Sequence, residues 1–370
     1  MASYRLISSD SHIVEPRDLW EARMDLKFRD RAPRLVREGD YDQWYADGVK
    51  FGSIGTNQQA GLRFEAPEKL TLGGRMDTVR RGGYDPDAHV EDMDLDSVAG
   101  GVLYPSQGLT VYAVPNSELL SAILRTYNDW LAEFCRPYPN RLKGLAMLNV
   151  DDPEDATREL QRAAGIGLAG AMVPLRPMDH RYDHPMYEPL WAAAQDLDMP
   201  LSLHVGTYRW SPEVHSIDQE VVELTNRDCD VRNALGALIF GGVVERYPRL
   251  KVVAAEFEVA WIPYFLARMD NVYMERAEGR QIERFKNDML PSELFRRNVF
   301  ISFQEDDLGI RLRSIIGVEN LMWGSDYPHA ESTFPRSSTI VERILTSVPA
   351  REQALIAGEN AARLYHFNSP

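Results

Sequence analysis

The chain has 370 residues, of which 44% are hydrophobic and 26% charged, so it is long enough for one barrel-sized domain with insertions or for two ordinary domains. Its formal net charge of −15 argues against non-specific binding to nucleic acid or to an anionic membrane surface. The two cysteines form no disulfide framework, and no stretch is apolar enough for a membrane span or a signal peptide. We therefore expect a cytoplasmic protein that acts on a small molecule.

The first apolar run of the chain leads into Asp10-Ser11-His12. In a strand, residues two apart project to the same face, so Asp10 and His12 can point at one spot. A carboxylate and an imidazole that converge are suitable ligands for Zn²⁺, Mn²⁺ or iron. The pair alone is weak evidence, because an Asp and a His two residues apart are more often joined by a surface hydrogen bond.

A long polar segment, residues 13–85, follows this first strand. It contains Trp20 and Trp44 and a glycine-rich piece from Gly52 to Gly61, and no strong helical period runs through it. We interpret the segment as an inserted cap between strands 1 and 2 that closes over an apolar substrate.

Beyond this segment, short apolar runs alternate regularly with helical patterns, which is typical of a closed parallel (β/α)₈ TIM barrel of the α/β class. A doubly wound open sheet is less favoured, because no Gly-x-Gly-x-x-Gly follows the first strand. We predict a single barrel domain over residues 1–370. After the first strand, from Leu6, the predicted strands are Val98–Tyr104, Leu145–Leu148, Gly170–Val173, Leu201–His204, Lys251–Glu256, Asn298–Phe303 and Leu321–Trp323.

Five of the eight predicted strands end in side chains that can bind a metal ion. The carboxyl ends of barrel strands form the active face, so these side chains should meet at one mouth. The sequence therefore predicts a metal centre there. Its candidate ligands are Asp10 and His12 on strand 1, His204 on strand 5, Glu256 on strand 6, Glu305 on strand 7, and Asp326 and His329 on strand 8.

Several of these residues also have an ordinary structural explanation. His204 could be a hydrogen-bonded core histidine, and Asp326 could cap a turn. Asp306, which follows Glu305, is better interpreted as the N-cap of the next helix. Glu256 is the hardest to explain in this way, because an unpaired carboxylate after five apolar residues is costly to bury. A cation opposite it would remove that cost.

The chain resembles the amidohydrolase-related barrels that include the aminocarboxymuconate-semialdehyde and resorcylate decarboxylases. The resemblance rests on Asp10 and His12, on His204, and on Gly324-Ser325-Asp326-Tyr327-Pro328. It implies that Asp10, His12, His204 and Asp326 hold a metal. The chain departs from those decarboxylases at Glu256, where they carry a histidine that acts as acid and base. Glutamate can replace that proton donor at neutral pH only if its pKa is strongly raised.

A narrower resemblance is to the branch of this family that contains nonheme diiron monooxygenases acting on coenzyme A-linked diterpenoids. It rests on Asp-Ser-His-x-x-Glu-Pro from Asp10, on Glu256, and on Ser-Asp-Tyr-Pro-His from Ser325. Three or four carboxylates beside three histidines also exceed what one zinc ion needs and suit a carboxylate-rich dinuclear centre.

The working hypothesis is therefore a diiron monooxygenase that hydroxylates an apolar, terpenoid-like substrate, with a CoA thioester as one possible form, using O₂ and an unknown electron donor. One iron would be held by Asp10, His12, His204 and Asp326, and the second by Glu256 and His329 with Glu305 as a further candidate. The catalytic residues would be Glu256, Asp326 and His329.

Two alternatives stay open. The first is a mononuclear Zn²⁺ or Mn²⁺ decarboxylase or hydrolase, in which Asp326 also serves as acid and base and Glu256 has a supporting role. The second is a barrel that binds metal without catalysis. By analogy with the family we also expect a homodimer, with the helical pattern from Val221 to Tyr247 as a candidate for its packing.

Overall fold

The computed structural model describes residues 4–55, 59–71, 73–209, 222, 225–277 and 284–368. Eight parallel strands form a nearly closed barrel, which confirms the predicted (β/α)₈ fold. All eight barrel strands predicted from the sequence are present, and their pairing order is β1-β5-β6-β7-β8-β9-β10-β11. In chain order the strands are β1 (Leu6–Ile13), β2 (Arg34–Glu38), β3 (Tyr41–Ala46), β4 (Val49–Ser53), β5 (Val98–Pro105), β6 (Leu142–Met147), β7 (Gly170–Val173), β8 (Leu201–His204), β9 (Val252–Ala255), β10 (Val299–Phe303) and β11 (Leu321–Trp323).

Most of the barrel strands are nearly continuous apolar runs because both of their faces are covered. The exception is β1, in which the polar residues 8–12 are buried within the strand. Every residue of β9 and β10 is buried. The surrounding helices begin at local signals in the sequence; the Asp152 carboxylate, for example, accepts hydrogen bonds from the backbone of Glu154 and Asp155 at the start of one helix. The described helices are Leu19–Arg23, Leu62–Glu65, Pro86–Leu95, Gly108–Val111, Ser117–Cys135, Pro153–Gly165, Glu188–Asp196, Asp228–Phe240, Val243–Arg246, Ile262–Ala277, Pro291–Asn298, Asp307–Arg311, Arg313–Ile316, Ser337–Ile344, Ala350–Ala354 and Asn360–Leu364, with a π-helical turn at Leu355–Glu359.

Backbone hydrogen bonds join β1 to the segment that follows β11. The Asp326 N–H donates to the carbonyl of Asp10 at 2.8 Å, and the His12 N–H donates to the carbonyl of Tyr327 at 2.6 Å. These contacts join the first and last strands of the barrel. They therefore place the side chains of Asp10 and His12 next to that of Asp326.

The segment between β1 and β5 contains a three-stranded antiparallel sheet of β2, β3 and β4. Trp20 and Trp44 pack edge to face with ring centroids 5.3 Å apart, and both are fully buried. The indole of Trp20 donates to the carbonyl of Ile123 at 3.1 Å. The two tryptophans thus hold the segment on the barrel.

The predicted helical pattern from Val221 to Tyr247 corresponds to two described helices, Asp228–Phe240 and Val243–Arg246. Residues 221, 223 and 224 of that pattern lie outside the described residues. In the described part of the chain, no helix has the length and apolar character that crossing a membrane requires.

His89 is a buried histidine that lies away from the barrel mouth, and it makes the stability of the folded chain depend on pH. Burial lowers the pKa of His89 from 6.5 to about 4, although its hydrogen bond to the Gly82 carbonyl opposes this shift. Between pH 6.5 and about pH 4, His89 is therefore protonated in the unfolded chain and neutral in the folded chain. We expect this group to cost up to about 3 kcal/mol of stability over that interval.

The measurement is the free energy of unfolding by urea between pH 7 and pH 4 for the wild type and for His89→Gln, which retains a donor for Gly82. The wild type should lose more stability than the variant as the pH falls. Parallel curves would contradict the assignment.

Candidate metal centre and active site

Four buried side-chain atoms from β1, β8 and the segment after β11 converge at the carboxyl end of the barrel. The Nε2 atom of His12 lies 3.4 Å from Asp10 Oδ1 and 3.2 Å from Asp326 Oδ1, and His204 Nε2 lies 3.6 Å from Asp10 Oδ1. Within the described part of the chain, none of these four atoms has a properly aligned hydrogen-bond partner. Buried polar atoms without partners are costly, so their convergence indicates a site that suits a cation.

The opposite nitrogen of each imidazole fixes the ring for metal binding. The His12 Nδ1–H donates to the carbonyl of Pro105 at 2.7 Å, and the His204 Nδ1–H donates to the carbonyl of Val205 at 2.9 Å. With the proton on Nδ1, each Nε2 presents its lone pair to the centre of the cluster.

The donor set fits a divalent metal ion. Two imidazoles and two carboxylates are ligands that Zn²⁺, Mn²⁺ and iron accept, and the two anions balance the charge of the ion. Ligand atoms about 2.1 Å from a tetrahedral ion lie about 3.4 Å from one another. The three separations given above, 3.2 to 3.6 Å, bracket that value. Asp10, His12 and His204 form one group of mutually close ligand atoms, and His12, Asp326 and His329 form an overlapping one.

Burial and the neighbouring charged groups shift the pKa values of the cluster residues in opposite directions. Burial lowers the pKa of His12, but its contacts with Asp10 and Asp326 outweigh this effect and hold the pKa well above its ordinary value. Burial likewise raises the pKa of Asp10, but His12 and His204 bring it below its usual range. In Asp326, burial is outweighed by the charge of His329 and the contact with His12, so its pKa is also lowered. Metal binding needs neutral imidazoles and should therefore release protons.

His329 extends the cluster toward solvent. Its Nδ1 lies 2.9 Å from Asp326 Oδ1, and its ring stacks on that of His12 with centroids 4.0 Å apart. Its Nε2 lies 3.0 Å from the hydroxyl of Ser106, which donates to it when the proton is on Nδ1. Sequence analysis did not single out Ser106; its position directly after a barrel strand is the signal that could have found it.

Glu256 also approaches the cluster, although it belongs to neither of the groups of mutually close ligand atoms there. Its Oε2 lies 3.5 Å from His204 Nε2, and its Oε1 lies 3.6 Å from the guanidinium of Arg227. Burial, together with the charges of Asp326 and Asp10, raises the pKa of Glu256 well above its ordinary value. Arg227 comes from the helical side of the barrel and was not predicted from the sequence.

Glu256 and Asp326 share a backbone conformation that non-glycine residues seldom adopt. Their φ angles are 65° and 59°, in the left-handed region. Such strain is found mainly where the surrounding structure enforces it, and it clusters at functional sites. Here it turns both carboxyl groups into the mouth of the barrel at the point where their strands end.

Glu305 is not brought together with the other candidate ligands. Its carboxylate forms ion pairs with Arg63 of the inserted segment and with Arg343, the latter at 3.1 Å. Both of its oxygens are thus held by cations away from the cluster. The neighbouring Asp306 caps a helix, as the sequence indicated, and it also accepts a hydrogen bond from the Val259 backbone at 2.8 Å.

The metal cluster opens into a cavity of about 320 Å³ at the barrel mouth. Its walls combine the reactive side chains with backbone and apolar surface from the inserted segment and the strand ends. They include Ser53, Ser106, Leu109, Glu256, Asp326 and His329. A cavity of this size suits a small organic molecule.

The family model described as Amidohydrolase matches residues 104–367, and the chain therefore belongs to the amidohydrolase family. It is 28% identical over 292 residues to a gamma-resorcylate decarboxylase from Rhodococcus jostii, covering 70% of this chain and 80% of the relative. It is 23% identical over 275 residues to a 2-amino-3-carboxymuconate-6-semialdehyde decarboxylase from Dictyostelium discoideum, covering 72% and 71% of the two chains.

Solved structures share the fold over nearly the whole chain. An amidohydrolase from Mycobacterium avium subsp. paratuberculosis superposes with a TM-score of 0.82 at 21% identity, covering 99% of this chain and 100% of that one. A 5-carboxyvanillate decarboxylase from Novosphingobium aromaticivorans, complexed with manganese and 4-hydroxy-3-methoxy-5-nitrobenzoic acid, superposes with a TM-score of 0.71 at 18% identity, covering 98% and 96%.

These relatives correct the working hypothesis drawn from the sequence. The prediction of a diiron monooxygenase is wrong, because the relatives named above are decarboxylases and not oxygenases. The broader resemblance to the amidohydrolase-related decarboxylases is confirmed. That hypothesis rested on the narrower resemblance and on counting Glu256 and Glu305 among the metal ligands.

Proposed function

We propose that this enzyme is a metal-dependent decarboxylase, in which one divalent ion held by Asp10, His12, His204 and Asp326 serves the removal of a carboxyl group from an organic acid. In this reaction the bond between carbon and the carboxyl group breaks, CO₂ leaves, and a proton takes its place on the carbon. The observation that carries the proposal is the convergence of four unpartnered buried ligand atoms beside a cavity that also contains a further carboxyl group. The named decarboxylase relatives supply the reaction class.

The bound ion would act as a Lewis acid that polarises a substrate oxygen. The chain itself fixes the ligands, since each imidazole is held by a backbone carbonyl behind it. This arrangement keeps the ligand geometry rigid when the substrate enters.

Glu256 is suited to deliver the proton. Its carboxyl group lines the cavity and lies beside the ligand His204 without being one of the four clustered atoms. It also stands where the decarboxylases that the sequence resembles carry a histidine as acid and base. A cation between Asp10 and Asp326 would offset their charges, and burial would then remain as the main reason for Glu256 to retain its proton.

Ser106 and His329 are suited to orient the substrate. The hydroxyl and the imidazole are 3.0 Å apart on one wall of the cavity, so an oxygen of the substrate can contact both. Residues of the inserted segment, including Ser53, cover the mouth and restrict the entry of water. The position of Ser53 supports the capping role predicted for this segment, with its β4 end facing the cavity.

The test uses protein stripped of metal with a chelator and then dialysed against Mn²⁺, Zn²⁺ or Fe²⁺. We expect about one ion per chain, no CO₂ release by the stripped protein, and restored release after reloading. The substrates are a panel of hydroxybenzoic acids that includes 2,6-dihydroxybenzoate, followed by mass spectrometry. Metal-loaded protein that releases no CO₂ from any acid in a broad panel would contradict the proposal.

A further inference from the structure

A second, larger cavity adjoins the cavity at the metal centre. Its volume is about 800 Å³, compared with about 320 Å³ for the inner one. Gly52, Thr110 and Gly206 line both cavities, so the two meet at these residues. Together they exceed what a single-ring acid requires, because cavities of about 300–1,000 Å³ accommodate drug-sized ligands.

Gly206 keeps the passage between the cavities wide. Its φ angle is +80°, a conformation that disfavours side chains, and no atom lies within 4 Å of the position a Cβ would occupy. On the opposite side, a Cβ on Gly52 would lie 3.0 Å from the Gln107 side chain. A side chain at either position would take up space where the two cavities meet. The two glycines leave that space open.

The walls of the outer cavity are mainly apolar, and most of its charges are already paired. Phe51, Ala113 and Tyr208 contribute apolar surface. Arg176 is held by both carboxylate oxygens of Asp230 at 2.8 Å and lies over the ring of Tyr208. Because this cation has its counter-ion within the protein, the cavity does not call for an anionic ligand.

Lys50 and Arg227 also have acidic partners. Lys50 pairs with Glu38 at 3.0 Å, and Arg227 lies 3.6 Å from Glu256. The second contact links the outer cavity to the proton donor of the inner one. Apart from the uncharged polar side chains of Thr110 and Asn226, the outer cavity offers a ligand apolar and aromatic surface. Burying such surface is favourable for an apolar group.

We infer that the substrate carries an apolar or aromatic extension that occupies this outer cavity while its carboxyl group lies at the metal centre. The inference rests on the proposed function for the identity of the reacting end. It narrows the substrate class to acids with at least one further ring, or an equivalent hydrocarbon group, beyond the reacting centre.

The first test compares benzoic acid with 4-biphenylcarboxylic acid by calorimetric titration of the Mn²⁺-loaded protein. Burial of the second ring should make the biphenyl acid bind about 10- to 100-fold more tightly. Ala113→Trp, which fills the outer cavity, should remove most of this gain and leave benzoic acid unaffected, while Ala113→Val should have a smaller effect. Equal affinities of the two acids, or a gain that persists in Ala113→Trp, would overturn the inference.

A second test fills the same cavity chemically. Cys229 lines it and is exposed, whereas burial raises the pKa of the Cys135 thiol to about 12, so a maleimide should label only Cys229 at neutral pH. Labelling with a bulky maleimide should abolish the preference for the biphenyl acid, and Cys229→Ser should retain the preference after the same treatment. A labelled protein that still prefers the biphenyl acid would contradict the inference.

These tests separate the two proposals. If benzoate-type acids are decarboxylated but the second ring brings no affinity, the inference about the extension fails alone. If the biphenyl acid is preferred and Ala113→Trp removes the preference, but no acid is decarboxylated, the outer site stands and the proposed reaction fails. Should Mn²⁺ not bind, the same titrations are carried out on the protein as isolated.

Discussion

Substitution of His204 by glutamine should remove a metal ligand and with it the decarboxylation reaction. Losing a group that merely supports a ligand costs about 10–100-fold in metal affinity, so losing the ligand itself should weaken Mn²⁺ binding by more than about 100-fold. The Nε2 atom of His204 has no aligned hydrogen-bond partner in the described part of the chain, so the effect should appear in metal binding more than in stability. Equilibrium dialysis followed by elemental analysis measures the bound Mn²⁺, and CO₂ release measures the reaction.

His89→Gln is the matched control for this experiment. His89 is buried like His204, but its Nδ1 bonds to the Gly82 carbonyl and it is not among the clustered ligands. The control should bind Mn²⁺ and release CO₂ as the wild type does. Wild-type metal content in His204→Gln, or loss of metal in the control, would show that the centre has been assigned to the wrong residues.

The barrel could be predicted from the sequence because its strands are short, continuous apolar runs. Burial on both faces leaves few polar positions within them, so the polar residues that follow each run stand out. This rule located Asp10, His12, His204, Asp326 and His329, which the structure brings together in two overlapping groups that share His12. It also located Glu256 beside them.

The same rule failed where the partner of a side chain lies far away in the sequence. Glu305 follows a barrel strand, but Arg63 lies 242 positions earlier in the chain and binds its carboxylate. The residues next to Glu305 in the sequence give no indication of that ion pair. The positions of Trp20 and Trp44 were beyond prediction for a related reason. Both pack inward, and the sequence pattern alone does not distinguish an aromatic residue that packs inward from one that lines a cavity.

The interpretation of function depended on how the carboxylates were counted. With Glu305 included, the centre seemed to hold enough anions for two irons; with Glu305 paired to arginines, the cluster contains two carboxylates and two imidazoles. A single divalent ion suits that set. The proposed role of Glu256 then changes from that of a metal ligand to that of an acid beside the cluster.

The substitution Glu256→Gln should lower kcat for decarboxylation by about 10²–10⁴-fold, the usual contribution of a positioned acid or base. Glutamine retains the shape of the side chain but cannot give up a proton to carbon. Mn²⁺ content and KM should stay close to those of the wild type, because Glu256 lies beside the ligand cluster and is not one of its four converging atoms. Steady-state CO₂ release and elemental analysis of the same preparations provide the two readouts.

Glu305→Gln is the matched control, since it makes the same chemical change at the end of the neighbouring strand. Glu305 pairs with Arg63 and Arg343 and does not reach the cluster, so its variant should retain both Mn²⁺ and most of the wild-type kcat. If Glu256→Gln lost its metal, Glu256 would be a ligand and the proton would have to come from another group. If instead Glu305→Gln lost metal, Glu305 would contribute to metal binding, and its ion pairs with the two arginines would not keep it away from the centre. Only a drop in kcat that is confined to Glu256→Gln, with metal retained in both variants, supports a proton donor that acts beside a mononuclear centre.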